Sequence, residues 1–202
     1  MRVGVLALQG DFIEHIAVLE KLGAEAIPVR KPEELSGLDR LIIPGGESTT
    51  MLNLMHSFSL FGPLKELAQA GLPVMGTCAG MILLARKVSG SGMDTLAVMD
   101  MEVRRNAFGR QTDSFEAKLA MPVLGQEPVP AIFIRAPRIL STGPKVEVLA
   151  RLAGGGIVAA RQGTLLAVAF HPELSSDPRL HRYFLKTFAR RRSGRRAAIP
   201  AG

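Results

Sequence analysis

Short uninterrupted apolar runs alternate along the chain with stretches whose apolar residues recur at helical spacing. Val3 to Leu8 is continuously apolar and bounded by charge and Gly10, the pattern of a strand buried on both faces. Asp11 stands where an N-cap belongs, and Ile13, Ile16, Ala17 and Leu19 continue at helical spacing to Leu22-Gly23. Ala24 to Val29 reads as a second strand, and Leu41 to Ile43 as a third, cut off by Pro44-Gly45-Gly46. Helical periodicity returns over Thr49–Met55 and Leu64–Ala70. Pro73 to Gly76 is a fourth strand that runs into Thr77-Cys78-Ala79-Gly80 and a further apolar helix, Met81 to Ala85. This alternation predicts a parallel sheet with helices on both faces.

Beyond residue 95 the pattern changes to strand-like runs in close succession: Leu96–Val98, Met101–Val103, Ser114–Leu119, Ala131–Ile134, Val146–Arg151, Ile157–Arg161 and Leu165–Phe170. The residues around Gln162-Gly163 read as a tight hairpin, and an amphipathic helix over roughly Asp177–Arg190 closes the pattern. No internal repeat is evident. The expectation is one α/β domain over residues 1–189, with a mostly parallel central sheet and additional antiparallel strands in its second half.

Composition changes this picture little. Of 202 residues, 47% are hydrophobic and 21% charged, an ordinary globular balance with enough chain to bury a core. Cys78, the single cysteine, excludes an intrachain disulfide and a multi-cysteine zinc site, and points to a reducing compartment. No stretch approaches the roughly 18 uninterrupted apolar residues of a membrane span, and the N-terminus does not read as a signal peptide, so the expected address is the cytoplasm. The net charge of +7 is concentrated at one end: residues 190–202 carry five arginines and no acid, which leaves +2 on the rest. Nucleic acid or an anionic surface is one reading of such a run. A solvated, disordered basic tail is the expected one, with neither nucleic acid nor membrane as a partner.

Gly76-Thr77-Cys78-Ala79-Gly80 is the most informative segment. It sets the cysteine between a buried strand and a helix start, with glycines two residues away on each side, the geometry of a nucleophile elbow with sulfur in place of oxygen. A thiol at a helix N-terminus also meets the positive end of the macrodipole. His171-Pro172-Glu173 follows an apolar run, so an imidazole and a carboxylate two residues apart share one side of an extended segment. Those are the base and the orienting group that a thiol nucleophile needs. Pro44-Gly45-Gly46-Glu47-Ser48-Thr49 ends a strand and opens a helix, with Ser48 or Thr49 as its cap, and a Gly-Gly turn there can aim N–H groups at an oxyanion. His15, His56 and His181 fall on predicted helices with no partner pattern nearby and read as surface histidines. A metal site built from Cys78, His171 and Glu173 lacks a fourth ligand, and no metal is expected.

Together these motifs resemble the class I (triad) glutamine amidotransferases. Leu8-Gln9-Gly10 with Glu14-His15, Pro44 to Thr50, Arg105 to Gln111, Asp113 to Glu116, Phe133 to Pro137 and Phe170 to Leu174 are similar to the glutaminase subunits of pyridoxal 5′-phosphate synthase, over about residues 2–188. The resemblance implies a flavodoxin-like three-layer fold and no cofactor held by this chain. It implies a catalytic triad of Cys78, His171 and Glu173, and an oxyanion hole at Gly46 and Ala79. It implies that L-glutamine is held by Gly46, Glu47, Ser48, Arg105, Ile134 and Arg135. The ammonia would pass to a TIM-barrel synthase subunit that makes pyridoxal 5′-phosphate from ribose 5-phosphate and glyceraldehyde 3-phosphate, in a large complex with equal numbers of the two subunits. Glycine lets the Gly45-Gly46 peptide present either C=O or N–H, so partner docking near Gln9 and Gly10 is expected to set it for catalysis.

Two other readings compete. A cysteine-elbow protein of the DJ-1/PfpI type usually carries histidine directly after the nucleophile, where this chain has Ala79, and has no counterpart to His171-Pro172-Glu173. A non-catalytic partner subunit would have no need of Cys78, His171 and Glu173 together.

Overall fold

The computed structural model describes residues 1–107 and 114–188. The first half lays down β1 (Arg2–Leu6), α1 (Phe12–Lys21), β2 (Glu25–Val29), β3 (Arg40–Ile43), α2 (Ser48–Ser57), α3 (Phe61–Gln69), β4 (Val74–Thr77) and α4 (Ala79–Leu84). The second half adds β5 (Ala85–Val88), β6 (Met99–Arg104), β7 (Ser114–Leu119), β8 (Val129–Ile134), β9 (Arg138–Thr142), β10 (Glu147–Arg151), β11 (Ile157–Gln162), β12 (Leu165–Val168) and α5 (Arg179–Thr187).

A ten-stranded sheet runs in the order β2-β1-β3-β4-β12-β11-β9-β6-β5, with β10 paired to β11. Strands β2, β1, β3 and β4 are parallel, as the alternation of the first half predicts, and β12 joins them in parallel from the second half; β3 and β4 are buried at every position. The antiparallel pairs lie beyond β12, together with a separate β7–β8 ribbon. The turn around Gln162-Gly163 joins β11 to β12 with Gln162 opposite Leu165, the predicted hairpin.

Register is what builds the site. Val168 pairs with Thr77, so β12 and β4 end side by side, and the residues that follow each strand emerge together at the carboxyl edge. The N–H of Cys78 donates to Val168 O at 2.8 Å, and that of Gly80 to Pro44 O at 3.2 Å, which draws in the turn after β3. The Gly10 N-terminal to α1 closes against the same turn: a Cβ there would collide with the Gly45 carbonyl.

Several elements differ from expectation. Leu96–Val98 is not a strand: Leu96 and Val98 donate N–H to Leu83 O and Leu84 O at the end of α4, and Ala97 has φ +53°, which breaks extended backbone. Strands β5 and β9 are additional; β5 begins at Ala85, where the apolar pattern suggests that the helix is still running. Ser48 and Thr49 do not cap α2. Glu47 does, its carboxylate accepting from Thr49 N at 3.1 Å and Thr50 N at 2.7 Å. Asp11 precedes α1 but makes no side-chain cap, for a reason that lies in the site. The arginine tail, the end of the predicted helix at Arg190 and residues 108–113 of the Arg105–Gln111 and Asp113–Glu116 motifs lie outside the described residues.

Candidate active site

Cys78 joins β4 to α4 at φ +47° and ψ −103°, a conformation that costs a non-glycine residue energy and that tight packing alone maintains. The packing is specific: a Cβ on Gly80 would run into the Ile43 carbonyl, so the residue two beyond the cysteine has to be glycine. The thiol is nearly buried, at 7% exposure, with Sγ 4.0 Å from Ile134 O.

His171 follows β12 and is fixed by its N–H, which donates to Ile132 O of β8 at 2.8 Å. Its Nδ1 lies 2.7 Å from Glu173 Oε1 and 3.3 Å from Asp11 Oδ2. Asp11 therefore turns to His171 and away from its own helix. Burial opposes the charged imidazole, yet hydrogen bonds with Asp11, Cys78 and Glu173 push the His171 pKa up to about 12. Burial raises Glu173, against a lowering by its hydrogen bond to His171. The His171 hydrogen bond lowers Asp11, more than burial raises it. Asp11, His171 and Glu173 offer ligand atoms within 4.8 Å of one another. Both carboxylates already share His171 Nδ1, so a cation would have to displace the bonds that orient the imidazole.

A cavity of about 370 Å³ opens beside these groups. Cys78, Ala79 and His171 line one side, and Gly46, Glu47 and Ser48 another. Arg105, Ile134 and Arg135 complete the predicted set, with Gln9, Gly10 and Asp11 from the loop between β1 and α1. Glu173 is absent from the lining because it lies behind His171, 5% exposed. Strained backbone gathers here as well: Asn106 (φ +46°) and Arg135 (φ +42°) join Cys78 on the wall.

At the rim Arg105 donates to Glu47 Oε1 at 3.0 Å and to Thr49 Oγ1 at 3.1 Å. Burial works to raise the Glu47 carboxyl, but the N–H and hydroxyl groups of Thr50 and Thr49 hold it down to about 2. Gln9 Oε1 accepts the N–H of Glu47 at 2.8 Å, and Gly45 O accepts that of Asp11 at 3.3 Å, so the loop between β1 and α1 braces the Gly45-Gly46 turn from both sides.

His15 and His181 are not surface residues. Both are fully buried and hydrogen-bonded to each other at 2.9 Å, with His15 beside Glu173. The signal for His15 is its place four residues before the buried Leu19, on the core-facing stripe of α1; His181 stands three before the buried Phe184. His56 stacks on Phe61, remote from this cluster.

The architecture is that of the class I glutamine amidotransferases. A solved structure described as that of a glutamine amidotransferase aligns with a TM-score of 0.86 at 51% identity, covering 91% of this chain and 96% of that one. The structure of PurLQS from Thermotoga maritima shares the fold at 14% identity, with a TM-score of 0.69, covering 91% of this chain and 97% of that one. The chain belongs to the SNO glutamine amidotransferase family, whose pattern it matches over residues 5–190. It is 62% identical over 190 residues to the pyridoxal 5′-phosphate synthase subunit PdxT of Pelotomaculum thermopropionicum, covering 94% of this chain and 96% of that protein. The PdxT of Dehalococcoides mccartyi is 60% identical over 188 residues, covering 92% and 96%. Among the described residues no helix is long and apolar enough to cross a membrane.

Proposed function

We propose that this chain hydrolyses L-glutamine to L-glutamate and ammonia as the glutaminase subunit of a pyridoxal 5′-phosphate synthase, in vitamin B6 biosynthesis. With the thiol proton already held on His171, Cys78 Sγ attacks the side-chain amide carbon. The tetrahedral intermediate collapses to a glutamyl thioester as His171 protonates the leaving ammonia. Water, deprotonated by His171, then cleaves the thioester to glutamate and restores the thiol. Glu173 orients the imidazole through Nδ1 and stabilises its charged form. The N–H groups of Gly46 and Ala79 receive the oxyanion, and Ile134 and Ser48 help to shape the glutamine pocket. The guanidinium groups of Arg105 and Arg135 suit the substrate α-carboxylate, and the Glu47 carboxylate suits its ammonium.

One observation carries this reading: a cysteine held at positive φ on a strand-to-helix elbow, sharing a cavity with a histidine whose far nitrogen bonds a buried carboxylate at 2.7 Å. The relatives carry the name of a pyridoxal 5′-phosphate synthase subunit, which supports a partner synthase subunit; on this reading that partner takes the ammonia, in a complex with equal numbers of both subunits. The same reading assigns residues 1–189 to the glutaminase domain and the protein to the cytoplasm. The test is ammonia release from glutamine by the full chain, alone and with a synthase subunit. Release that rises strongly with the partner supports the reading; no release in either condition contradicts it.

A further inference from the structure

Behind Glu173 lies a buried layer of polar side chains that the proposed chemistry does not use. His15 Nδ1 is 2.9 Å from His181 Nε2, and His15 Nε2 is 3.2 Å from Thr77 Oγ1 and 3.2 Å from Glu173 Oε2. The layer joins three elements far apart in sequence: α1, the end of β4 and α5. Burial, with the charges of His181 and His171, holds His15 well below the ordinary histidine pKa, and burial takes His181 down to about 4. Both rings are neutral at pH 7, each with a single N–H.

The geometry fixes where those protons sit. A bare Nε2 on His15 would set a lone pair against the Glu173 carboxylate, so His15 carries its proton on Nε2. Its Nδ1 then accepts, and His181 donates from Nε2. That leaves His181 Nδ1 as a bare acceptor, in keeping with its lack of a hydrogen-bond partner among the described residues. The opposite tautomers would bury an N–H with no acceptor, the rarer and costlier orphan. Glu173 Oε1 is taken by His171, whereas Oε2 is buried and makes no well-aligned hydrogen bond among the described residues. A buried carboxylate oxygen needs a donor. The His15 N–H, shared with Thr77, is within reach.

We propose that His15, itself held by His181, is a positioning residue for Glu173: its Nε2–H, paired with Thr77 and 3.2 Å from the second carboxylate oxygen, attracts that oxygen and so keeps the first facing His171. The inference rests on the triad reading of Cys78, His171 and Glu173. Thr77 adjoins the nucleophile, so the same N–H ties the strand that carries Cys78 to the carboxylate that aligns its base.

The test compares His15→Phe, which keeps a planar ring without an N–H, with His15→Gln, whose amide nitrogen can replace Nε2. Full-length protein is assayed with a synthase subunit, and the downfield proton resonance of His171 Nδ1–H is followed by NMR in the free chain. Outer-shell partners of metal ligands typically contribute about 10- to 100-fold to activity, and a partner that orients a catalytic carboxylate is expected to act on that scale. His15→Phe should therefore lower kcat by about that factor with KM unchanged, and shift or broaden the resonance, while His15→Gln restores most of both. If His15→Phe does not fold, His181→Phe should show a smaller kcat loss with a resonance change in the same direction. An unmoved resonance in the variants, or equal impairment of His15→Phe and His15→Gln, overturns the proposal. A wild-type chain that releases no ammonia with its partner overturns the glutaminase reading instead, and the resonance still reports on whether His15 holds Glu173.

Discussion

Arg105 and Glu47 meet at 3.0 Å on the cavity rim with 34% and 49% of their side chains exposed, whereas Glu173 and His15 meet at 3.2 Å with neither side chain exposed at all. Both contacts involve a carboxylate and a nitrogen base, yet they serve opposite ends. An exposed pair contributes about 0–1 kcal/mol, so a ligand that offers its own carboxylate and ammonium can take over either partner at little cost. A buried carboxylate cannot exchange partners in that way, because losing its donor leaves an uncompensated charge in a dry interior. On the proposed function, the rim suits rearrangement by substrate, and the layer behind His171 suits a fixed support.

The largest expected effect lies where the two regions meet. Cys78→Ala and His171→Ala should each abolish glutamine hydrolysis while leaving the fold intact, since Cys78 and His171 both face the cavity. The double variant should be no slower than the worse single one, because residues acting as one unit are not additive. A double variant far slower than either would separate the thiol from its base and break the account of the shared site.

Next comes the brace in the loop between β1 and α1. Gln9→Ala removes the acceptor of the Glu47 N–H and loosens the Gly45-Gly46 turn. One oxyanion donor typically contributes on the order of 10²–10³ in kcat, so activation by the synthase subunit should be of that size in wild type and largely lost in Gln9→Ala. Normal activation of that variant would remove Gln9 from the relay.

The buried layer can be sharpened through pH. His181 has a native pKa of about 4 against an ordinary 6.5, so the unfolded chain binds the proton first on acidification. The contribution to stability is whole above pH 6.5 and is lost as pH falls towards 4, at about 1.4 kcal/mol per unit. His171, pushed up to about 12, is protonated in both states below pH 6.5 and adds no slope there. Glu173, raised by burial, slopes the opposite way, so the quantity to read is the difference between proteins. Denaturant unfolding of His181→Phe should show a flatter loss between pH 6.5 and 4 than wild type; parallel curves would mean that His181 is not held neutral.

The smallest effect belongs to the rim. Arg105→Lys keeps the charge but cannot hold Glu47 and Thr49 together with a planar fork, so KM for glutamine should rise several-fold at nearly constant kcat. An unchanged KM would place glutamine binding elsewhere, with Arg135 the next residue to vary.

What the sequence makes legible follows the range of the physics. Cys78 is readable because an elbow is local: Gly80 has to be glycine where the Ile43 carbonyl approaches, and the residues around it spell that out. His171 and Glu173 are readable because they stand two apart at the end of an apolar strand. Glu47 is misread in favour of Ser48 or Thr49, since cap preference favours short hydroxyl side chains and the carboxylate has a second partner, Arg105, 58 residues away. Asp11 fails in the same way, drawn off its helix by His171. His15 and His181 are 166 residues apart, and only the register of the folded sheet brings them together. Their helical spacing from Leu19 and Phe184 marks them as inward-facing without naming their partner.

The central claim is that Cys78 forms a glutamyl thioester. It is tested most directly by acid-quenching the full chain with its synthase subunit during turnover of glutamine and weighing the peptide that carries Cys78. The predicted result is a mass gain of one glutamyl group, glutamine less ammonia, on Cys78 and on no other peptide, absent from Cys78→Ala. Sustained ammonia release by Cys78→Ala at the wild-type rate, with no adduct at residue 78, would contradict it.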